Sequence, residues 1–187
     1  PMEEVYELVS ATPVAAASLG QVYRARLKED GEGYRAGDEV ALKVQRPGCE
    51  ETIALDLYIL RAYSATLKKL LGLLGRDIDL VSVIDDFGRL IYAEIDYSVE
   101  ASNGARFRNL YGTIANVSAP AVYPTLSTRR LLTMEWVDGT RLNDVDALTA
   151  KGLQPSALVD TLVQCSLRQM LGTGFFHADP HAGNLLV

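Results

Sequence analysis

The sequence predicts an α+β fold that begins with a small sheet and continues with helices, further strands and a last helix. Residues 21–27 and 39–45 are rich in β-branched and apolar residues and are joined by the polar loop 28–38, which is typical of a hairpin. From Glu51 the apolar residues recur at three, four or seven positions, the spacing of one helix face. With 187 residues, of which 48% are hydrophobic and 22% charged, the chain can bury one good core.

The helical part follows the hairpin. The periodic pattern that starts at Glu51 ends near Gly72 to Gly75. A second helical stretch is predicted after Asp79, a residue type that favours the N-cap position, and it continues to Leu110. These stretches predict a helical insert over residues 50–115.

Strands and one more helix complete the pattern. The segments 122–124 and 131–136 have strand composition. An apolar-periodic helix is then predicted over 156–171, where Gly172 and Gly174 end it. That helix leads directly into the loop that begins at His177.

Composition excludes several function classes. A formal net charge of -6 argues against nucleic acid as a partner, because phosphate backbones are bound by clustered lysine and arginine. Cys49 and Cys165 form neither a CxxC pair nor a disulfide framework, which favours a reducing compartment. No apolar run has the length of roughly 18 to 20 residues that a bilayer requires, and the first residues show no basic or apolar leader.

The loop near the end of the sequence carries the strongest chemical signal. Asp179 is followed five positions later by Asn184, which is the spacing of a kinase catalytic loop. Asp179 is the candidate base or orienting carboxylate and Asn184 the candidate magnesium ligand. We expect His177 to form structural hydrogen bonds, and His181 to tune Asp179.

A metal site is the alternative for the same loop. Imidazole and carboxylate ligands suit zinc, so His177, Asp179 and His181 are a candidate ligand set. This minor alternative leaves the other motifs of the chain unexplained.

The turn before the first strand resembles a nucleotide-binding loop. It matches the kinase pattern G-x-G-x-x-G-x-V with alanine at the first two glycine positions, which makes the loop stiffer than glycine would. The candidate nucleotide-binding residues of the loop are Ala15, Ala16, Ala17, Ser18, Gly20 and Val22. An ordinary turn of small residues is the alternative. The strand 40–43, V-A-L-K, argues against an ordinary turn. It resembles the kinase strand V-A-I-K, whose lysine contacts the α and β phosphates, and Lys43 occupies the position of that lysine.

Such a lysine requires a carboxylate partner, and the second helical stretch offers Glu94, Asp96 and Glu100. On a straight helix Glu94 and Glu100 lie about 120° apart, so two separate roles are indicated. A solvated acidic face is the alternative. The apolar and aromatic residues between the carboxylates argue against it: Tyr92, Ile95, Tyr97 and Val99.

Taken together in chain order, four motifs resemble the UbiB family of atypical protein-kinase-like proteins. They occupy residues 15–23, 40–48, 94–97 and 177–184. The resemblance implies a kinase-like fold with an alanine-rich loop and a helical insert after the lysine strand. It implies one incomplete domain, with an N-lobe over 1–139 and the start of a C-lobe, including the catalytic loop, over 140–187.

The resemblance also implies residue roles and chemistry. Glu100 would pair with Lys43, whereas Glu94 and Asp96 form a regulatory E-x-D motif that faces an N-terminal K-x-G-Q extension. ATP and Mg²⁺ would be the cofactors of an ATPase or phosphotransferase that regulates prenylquinone or lipid metabolism. The implied partners are nucleotide, lipid and prenylquinone-pathway proteins. Peripheral membrane association through residues 53–74 is a further hypothesis, with a core helix as its alternative.

Two sequence segments favour one branch of the family. Residues 93–97 and 132–139 are similar to plastid and cyanobacterial members, which favours a chloroplast, with a mitochondrion second. The K-x-G-Q motif and the second magnesium aspartate do not occur in the sequence, and Ala182 stands where the family usually has proline. We therefore expect these 187 residues alone to bind nucleotide poorly and to catalyse nothing. A catalytically weak pseudokinase scaffold that binds lipid or protein is the alternative function, and a metal-dependent hydrolase is the minor one.

Overall fold

The computed structural model describes residues 2–16, 19–76 and 78–187. Its helices and strands, in chain order, are α1 Met2–Val5, β1 Tyr6–Leu8, β2 Ala15–Ala16, β3 Gly20–Leu27, β4 Glu39–Gln45, α2 Cys49–Leu73, α3 Leu80–Glu94, α4 Tyr97–Tyr111, β5 Leu131–Glu135, α5 Val145–Ala150 and α6 Pro155–Arg168. The chain divides into two compact units, one formed by 1–102 with 122–134 and the other by 103–121 with 135–187.

The sheet belongs to the first unit. Its strand order is β1-β3-β4-β5, and β2 also pairs with β3. Strands β3 and β4 are antiparallel, with a register that runs from Gly20 opposite Gln45 to Arg26 opposite Glu39. The predicted hairpin is therefore confirmed, with its first strand beginning one residue earlier.

Two groups of apolar residues form the core of this unit. Ala25, Val40 and Leu42 are fully buried within the hairpin. A second cluster joins α4 to β5 through Tyr97, Ala101 and Leu132. Because Tyr97 and Ala101 lie four residues apart on one helix face, the first turn of α4 is fixed against the sheet.

The helical insert is present, but its second stretch is broken. Helix α3 ends at Glu94 and α4 begins at Tyr97, so the predicted continuous helix is wrong at Ile95 and Asp96. The Asp96 carboxylate accepts a hydrogen bond of 2.9 Å from the Ser98 backbone N–H. This N-cap satisfies a backbone donor that a new helix start leaves unpaired.

Asp79, the predicted N-cap of α3, forms different bonds from those expected. Its carboxylate accepts from the Ser82 hydroxyl at 2.6 Å and from Lys68 Nζ at 3.0 Å. These partners lower the pKa of Asp79 to about 2. The residue therefore stabilises the start of α3 through side chains.

The predicted strand at 122–124 is reduced to a single bridge between Val122 and Met134. Pro124 then starts a 3₁₀ turn, Pro124–Leu126. Proline has no backbone N–H to donate to a ladder, which explains why pairing stops there. The strand predicted at 131–136 is confirmed as β5.

The second unit contains α5 and α6. The Asp144 carboxylate caps α5 by accepting from the Ala147 N–H at 3.1 Å. The helix predicted at 156–171 is confirmed as α6 up to Arg168, and a π-helical turn, Gln169–Thr173, follows it. In the described ranges of the chain, no helix combines the length and the apolar character needed to cross a membrane.

Candidate functional site

Lys43 and Glu100 are brought together in the first unit. Lys43 lies near the end of β4, and its Nζ is 2.7 Å from each carboxylate oxygen of Glu100 in the first turn of α4. The lysine side chain is 22% exposed and the glutamate side chain 42%. The ammonium group is thus fixed by a bidentate partner while one side of the pair stays open to solvent.

Tyr97 is the second neighbour of the lysine. Lys43 Nζ lies 4.9 Å from the centroid of the Tyr97 ring. At this distance the negative face of an aromatic ring attracts a cation. Tyr97 is only 1% exposed, so its ring is a fixed surface beneath the ammonium.

The predicted nucleotide loop is partly strand. Ala15 and Ala16 form β2 and pair with Val22 and Gln21 of β3. Val22 also lies opposite Lys43 in the hairpin. Ala17 and Ser18, which belong to the predicted loop, lie outside the described residues.

Gly20 contacts the hydroxyl of Tyr97. A Cβ added at Gly20 would lie 2.3 Å from that oxygen and 2.8 Å from the backbone oxygen of Val44. Neither distance leaves room for a side chain. A glycine is therefore required here by packing. We name Gly20, Lys43, Tyr97 and Glu100 the lysine cluster.

The E-x-D residues occupy separate positions. Glu94 is the exposed last residue of α3, whereas Asp96 caps α4 and lies 3.2 Å from Arg129 Nε. The Ser98 backbone N–H, with Arg129 adding to it, lowers the pKa of Asp96. The angle of about 120° assumed a straight helix, so it does not apply across the break. Asp96 supports the helix that carries Glu100, while Glu94 lies at the surface.

We name residues 177–184 of the second unit the catalytic loop after their predicted role, and Asp179 and Asn184 are neighbours within it. Asn184 Nδ2 donates to the Asp179 backbone oxygen at 3.2 Å and to Asp179 Oδ2 at 3.1 Å. His181 Nε2 is 3.6 Å from the same carboxylate oxygen. The carboxylate is therefore held from two sides by residues of its own loop.

The two histidines shape this loop through their Nδ1 atoms. His177 Nδ1 accepts from the Asp179 N–H at 3.0 Å, and His181 Nδ1 accepts from the Gly183 N–H at 3.0 Å. A Cβ at Gly183 would lie 2.8 Å from the His181 ring. These bonds shape the loop, and the tuning of Asp179 by His181 stays a prediction.

Two further residues that sequence reasoning did not find hold the start of the loop. Gln169, in the π-helical turn, is buried and its Oε1 accepts from the His177 N–H at 2.9 Å. The buried Tyr111 places its hydroxyl against Thr173 Oγ1 and the Phe175 backbone oxygen. No sequence signal distinguishes them, because each acts through a contact made at long range or in an irregular turn.

The donor atoms of the described residues bear on the predicted metal sites. In the part of the chain that the structure describes, no group of three His, Cys, Asp or Glu residues is arranged to hold a metal ion. The zinc alternative therefore lacks a ligand cluster there. Both bonds of Asn184 to Asp179 use Nδ2, so they leave its amide oxygen, a ligand type that Mg²⁺ accepts, unused. Magnesium binding at Asn184 stays a prediction.

Comparison with known proteins identifies relatives over the whole sequence. A family model described as the ABC1 atypical kinase-like domain matches residues 1–187. The chain is 46% identical over 185 residues to Activity of BC1 Complex Kinase 3, chloroplastic, of Arabidopsis thaliana, covering 99% of this chain and 25% of that protein. It is 45% identical over 186 residues to the uncharacterized protein sll0005 of Synechocystis, covering 100% of this chain and 26% of that protein. The chain thus spans about a quarter of these relatives, and the predicted family is confirmed.

A solved structure supports the fold. The chain resembles Rv3197 of Mycobacterium tuberculosis, determined in complex with erythromycin, with a TM-score of 0.76 and 28% identity. The match covers 99% of this chain and 44% of that one. The predicted α+β, kinase-like fold is confirmed.

Proposed function

This chain belongs to the ABC1 atypical kinase-like family, and we propose on that basis that it binds ATP as part of an atypical kinase or ATPase. The observation that carries the proposal is the Lys43 ammonium, held at 2.7 Å by both oxygens of Glu100. In kinases a strand lysine paired with a helix glutamate contacts the nucleotide phosphates. The open side of this pair suits that contact.

The catalytic loop supplies the chemical groups. In our proposal Asp179 accepts the proton of an attacking hydroxyl group or water as the new O–P bond forms and the bond to the departing ADP breaks. His181 Nε2, at 3.6 Å, and the Asn184 amide orient the carboxylate for this role. Magnesium, held through the Asn184 amide oxygen, would neutralise phosphate charge.

The proposed setting is plastid-type prenylquinone or lipid metabolism. Relatives named as chloroplastic kinases and a cyanobacterial relative support the compartment. Lipid and proteins of the pathway are the proposed partners, and the acidic net charge argues against nucleic acid. Peripheral membrane contact through α2 is part of the proposal, because none of that helix's residues is fully buried.

Titration of the full-length protein with MgATP tests the proposal. We expect Lys43→Met to weaken ATP binding roughly 10-fold or more, since charge-assisted hydrogen bonds contribute about 1.5–3 kcal/mol. The matched control is Lys69→Met, which removes an exposed lysine of α2. Equal affinity of the two variants would contradict the proposed nucleotide site.

Phosphate release separates the enzyme from its alternative. We expect turnover by the wild type, and its loss in Asp179→Asn but not in the exposed control Asp160→Asn. The alternative is a pseudokinase scaffold. The pairing of Ala15 and Ala16 in β2 favours it, because a loop that is paired in a sheet has less freedom to close on phosphates. A wild type that binds ATP through Lys43 without releasing phosphate would establish the scaffold.

A further inference from the structure

Tyr97 contacts two parts of the lysine cluster at once. Its ring lies 4.9 Å from Lys43 Nζ, and Glu100, three residues later on the same helix, holds that ammonium at 2.7 Å. The first turn of α4 therefore restrains the lysine by a carboxylate and by an aromatic face. The ring is itself fixed, because Tyr97 packs with Ala101 and Leu132.

The other end of the ring reaches the nucleotide loop. The Tyr97 hydroxyl occupies the space that a Cβ at Gly20 would need, 2.3 Å away. The hydroxyl is buried and has no hydrogen-bond partner among the described residues. The oxygen therefore acts by filling the space between α4 and Gly20, and not through a hydrogen bond to the described residues.

Tyr97 is neutral, which suits its position between Gly20 and Lys43. Burial, with the charge of Glu100 adding to it, raises the pKa of Tyr97 to about 12. The phenol therefore stays neutral near Glu100 and leaves the carboxylate as the anionic partner of Lys43. The ring attracts the ammonium without competing for its hydrogen bonds.

We propose that Tyr97 is a positioning residue for Lys43, lying between Gly20 and the ammonium so that the lysine is set for a nucleotide phosphate. The inference rests on the proposed ATP binding. Tyr97 does not touch the reacting atoms, and its effect on nucleotide must pass through Lys43.

A double-mutant cycle in the full-length protein tests this. Tyr97→Leu removes the ring, and we expect a roughly 2- to 30-fold loss of MgATP affinity, the fold-change that corresponds to a cation–π contact. In a Lys43→Met background the same change should cause no further loss. A decrease in melting temperature should persist in the Lys43→Met background, because the packing of Tyr97 against Ala101 and Leu132 is lost in both backgrounds.

Other variants separate ring, hydroxyl and fold. Tyr97→Phe keeps the ring, so its affinity should stay within about 2-fold of wild type, because only the unpaired hydroxyl is lost. Tyr97→Met takes the place of Tyr97→Leu if the latter does not fold. Tyr63→Leu is the matched control, since Tyr63 is 72% exposed in the same unit.

Each outcome decides a different question. The inference is wrong if Tyr97→Leu and Tyr97→Met keep the wild-type affinity for MgATP. It is also wrong if these changes lower the affinity as much in the Lys43→Met background as in the wild type, because Tyr97 then does not act through Lys43. Either result leaves the proposed ATP binding intact. If the wild type binds no ATP, the proposed function fails and the inference fails with it.

Discussion

The lysine cluster and the catalytic loop are held by contacts of different range. Lys43 and Glu100 are 57 residues apart in sequence, and Tyr97 between them is 1% exposed. In the catalytic loop, Asp179 bonds to a residue five positions away, and its side chain is 69% exposed. Changes around the buried Tyr97 should therefore alter folding together with binding, whereas changes in the exposed loop should alter binding or chemistry with little effect on folding.

Gly20→Ala should have the largest effect on stability. The added Cβ would lie 2.3 Å from the Tyr97 hydroxyl and 2.8 Å from the Val44 backbone oxygen. We expect the free energy of unfolding, measured by urea denaturation, to fall by about 1–3 kcal/mol, the usual cost of overpacking.

Its control is Gly72→Ala, where a Cβ in α2 would meet open space. That change should raise stability by about 0.5–1 kcal/mol through helix propensity. Adding Tyr97→Phe to Gly20→Ala should recover part of the loss, since only the Val44 contact remains. Equal stability of the two alanine variants would contradict the packing argument.

Asp96→Ala should have the next largest effect. It removes the N-cap of α4, which typically contributes about 0.5–2 kcal/mol at neutral pH. The pKa of Asp96 is lower in the folded protein than its value of 3.8 in the unfolded chain. The charged carboxylate therefore stabilises the folded state at pH values above 3.8. That stability is lost as the pH falls through the lower folded value.

Denaturation at a series of pH values checks the sign. The difference in unfolding free energy between wild type and Asp96→Ala should shrink below about pH 4. Asp160→Ala, an exposed control, should show no such trend. A difference that stays constant over the whole acid range would show that the Asp96 charge does not stabilise α4.

Glu100→Gln should change stability less than it changes binding. The carboxylate is 42% exposed, so solvent screens its attraction to Lys43. We expect the unfolding free energy to fall by less than about 1 kcal/mol. The affinity for MgATP, measured by calorimetry, should fall because Lys43 loses its fixed position. Glu51→Gln is the exposed control, and an equal affinity of the two variants would remove Glu100 from the site.

Asn184→Ala should have the smallest effect on stability, within about 0.5 kcal/mol, because its bonds lie in an exposed loop. The magnesium dependence of ATP binding should nevertheless weaken, since an oxygen ligand is lost. Asn143→Ala, exposed in the same unit, is the control. If stability fell as much as in Gly20→Ala, the contrast between the two regions would be wrong.

Local patterns allowed much of the fold to be predicted. The β-branched and apolar content of β3 and β4 and the single long period of α2 appear directly in the sequence, and all three elements are present. The neighbourhood of Lys43 and Glu100 came from motif resemblance, since no local signal joins residues 57 apart.

The remaining features depend on contacts that a sequence pattern does not contain. The break at Asp96 interrupts an apolar period that continues on both sides, and Arg129, 33 residues away, supports it. The spacer role of the Tyr97 hydroxyl depends on the close approach of Gly20. To predict either feature, one would need to know which distant residue lies next to Asp96 or to Tyr97 in the folded chain.

The π-helical turn Gln169–Thr173 has a consequence for the direction in which the chain leaves α6. Such a turn holds one residue more than an α-helical turn, so it resets the rotational phase of the backbone just before Gly174. Deleting Leu171 would rotate the backbone from Gly174 onward by about 100°. The Gln169 amide would then no longer face His177. The direction in which the catalytic loop leaves α6 therefore depends on a single extra residue.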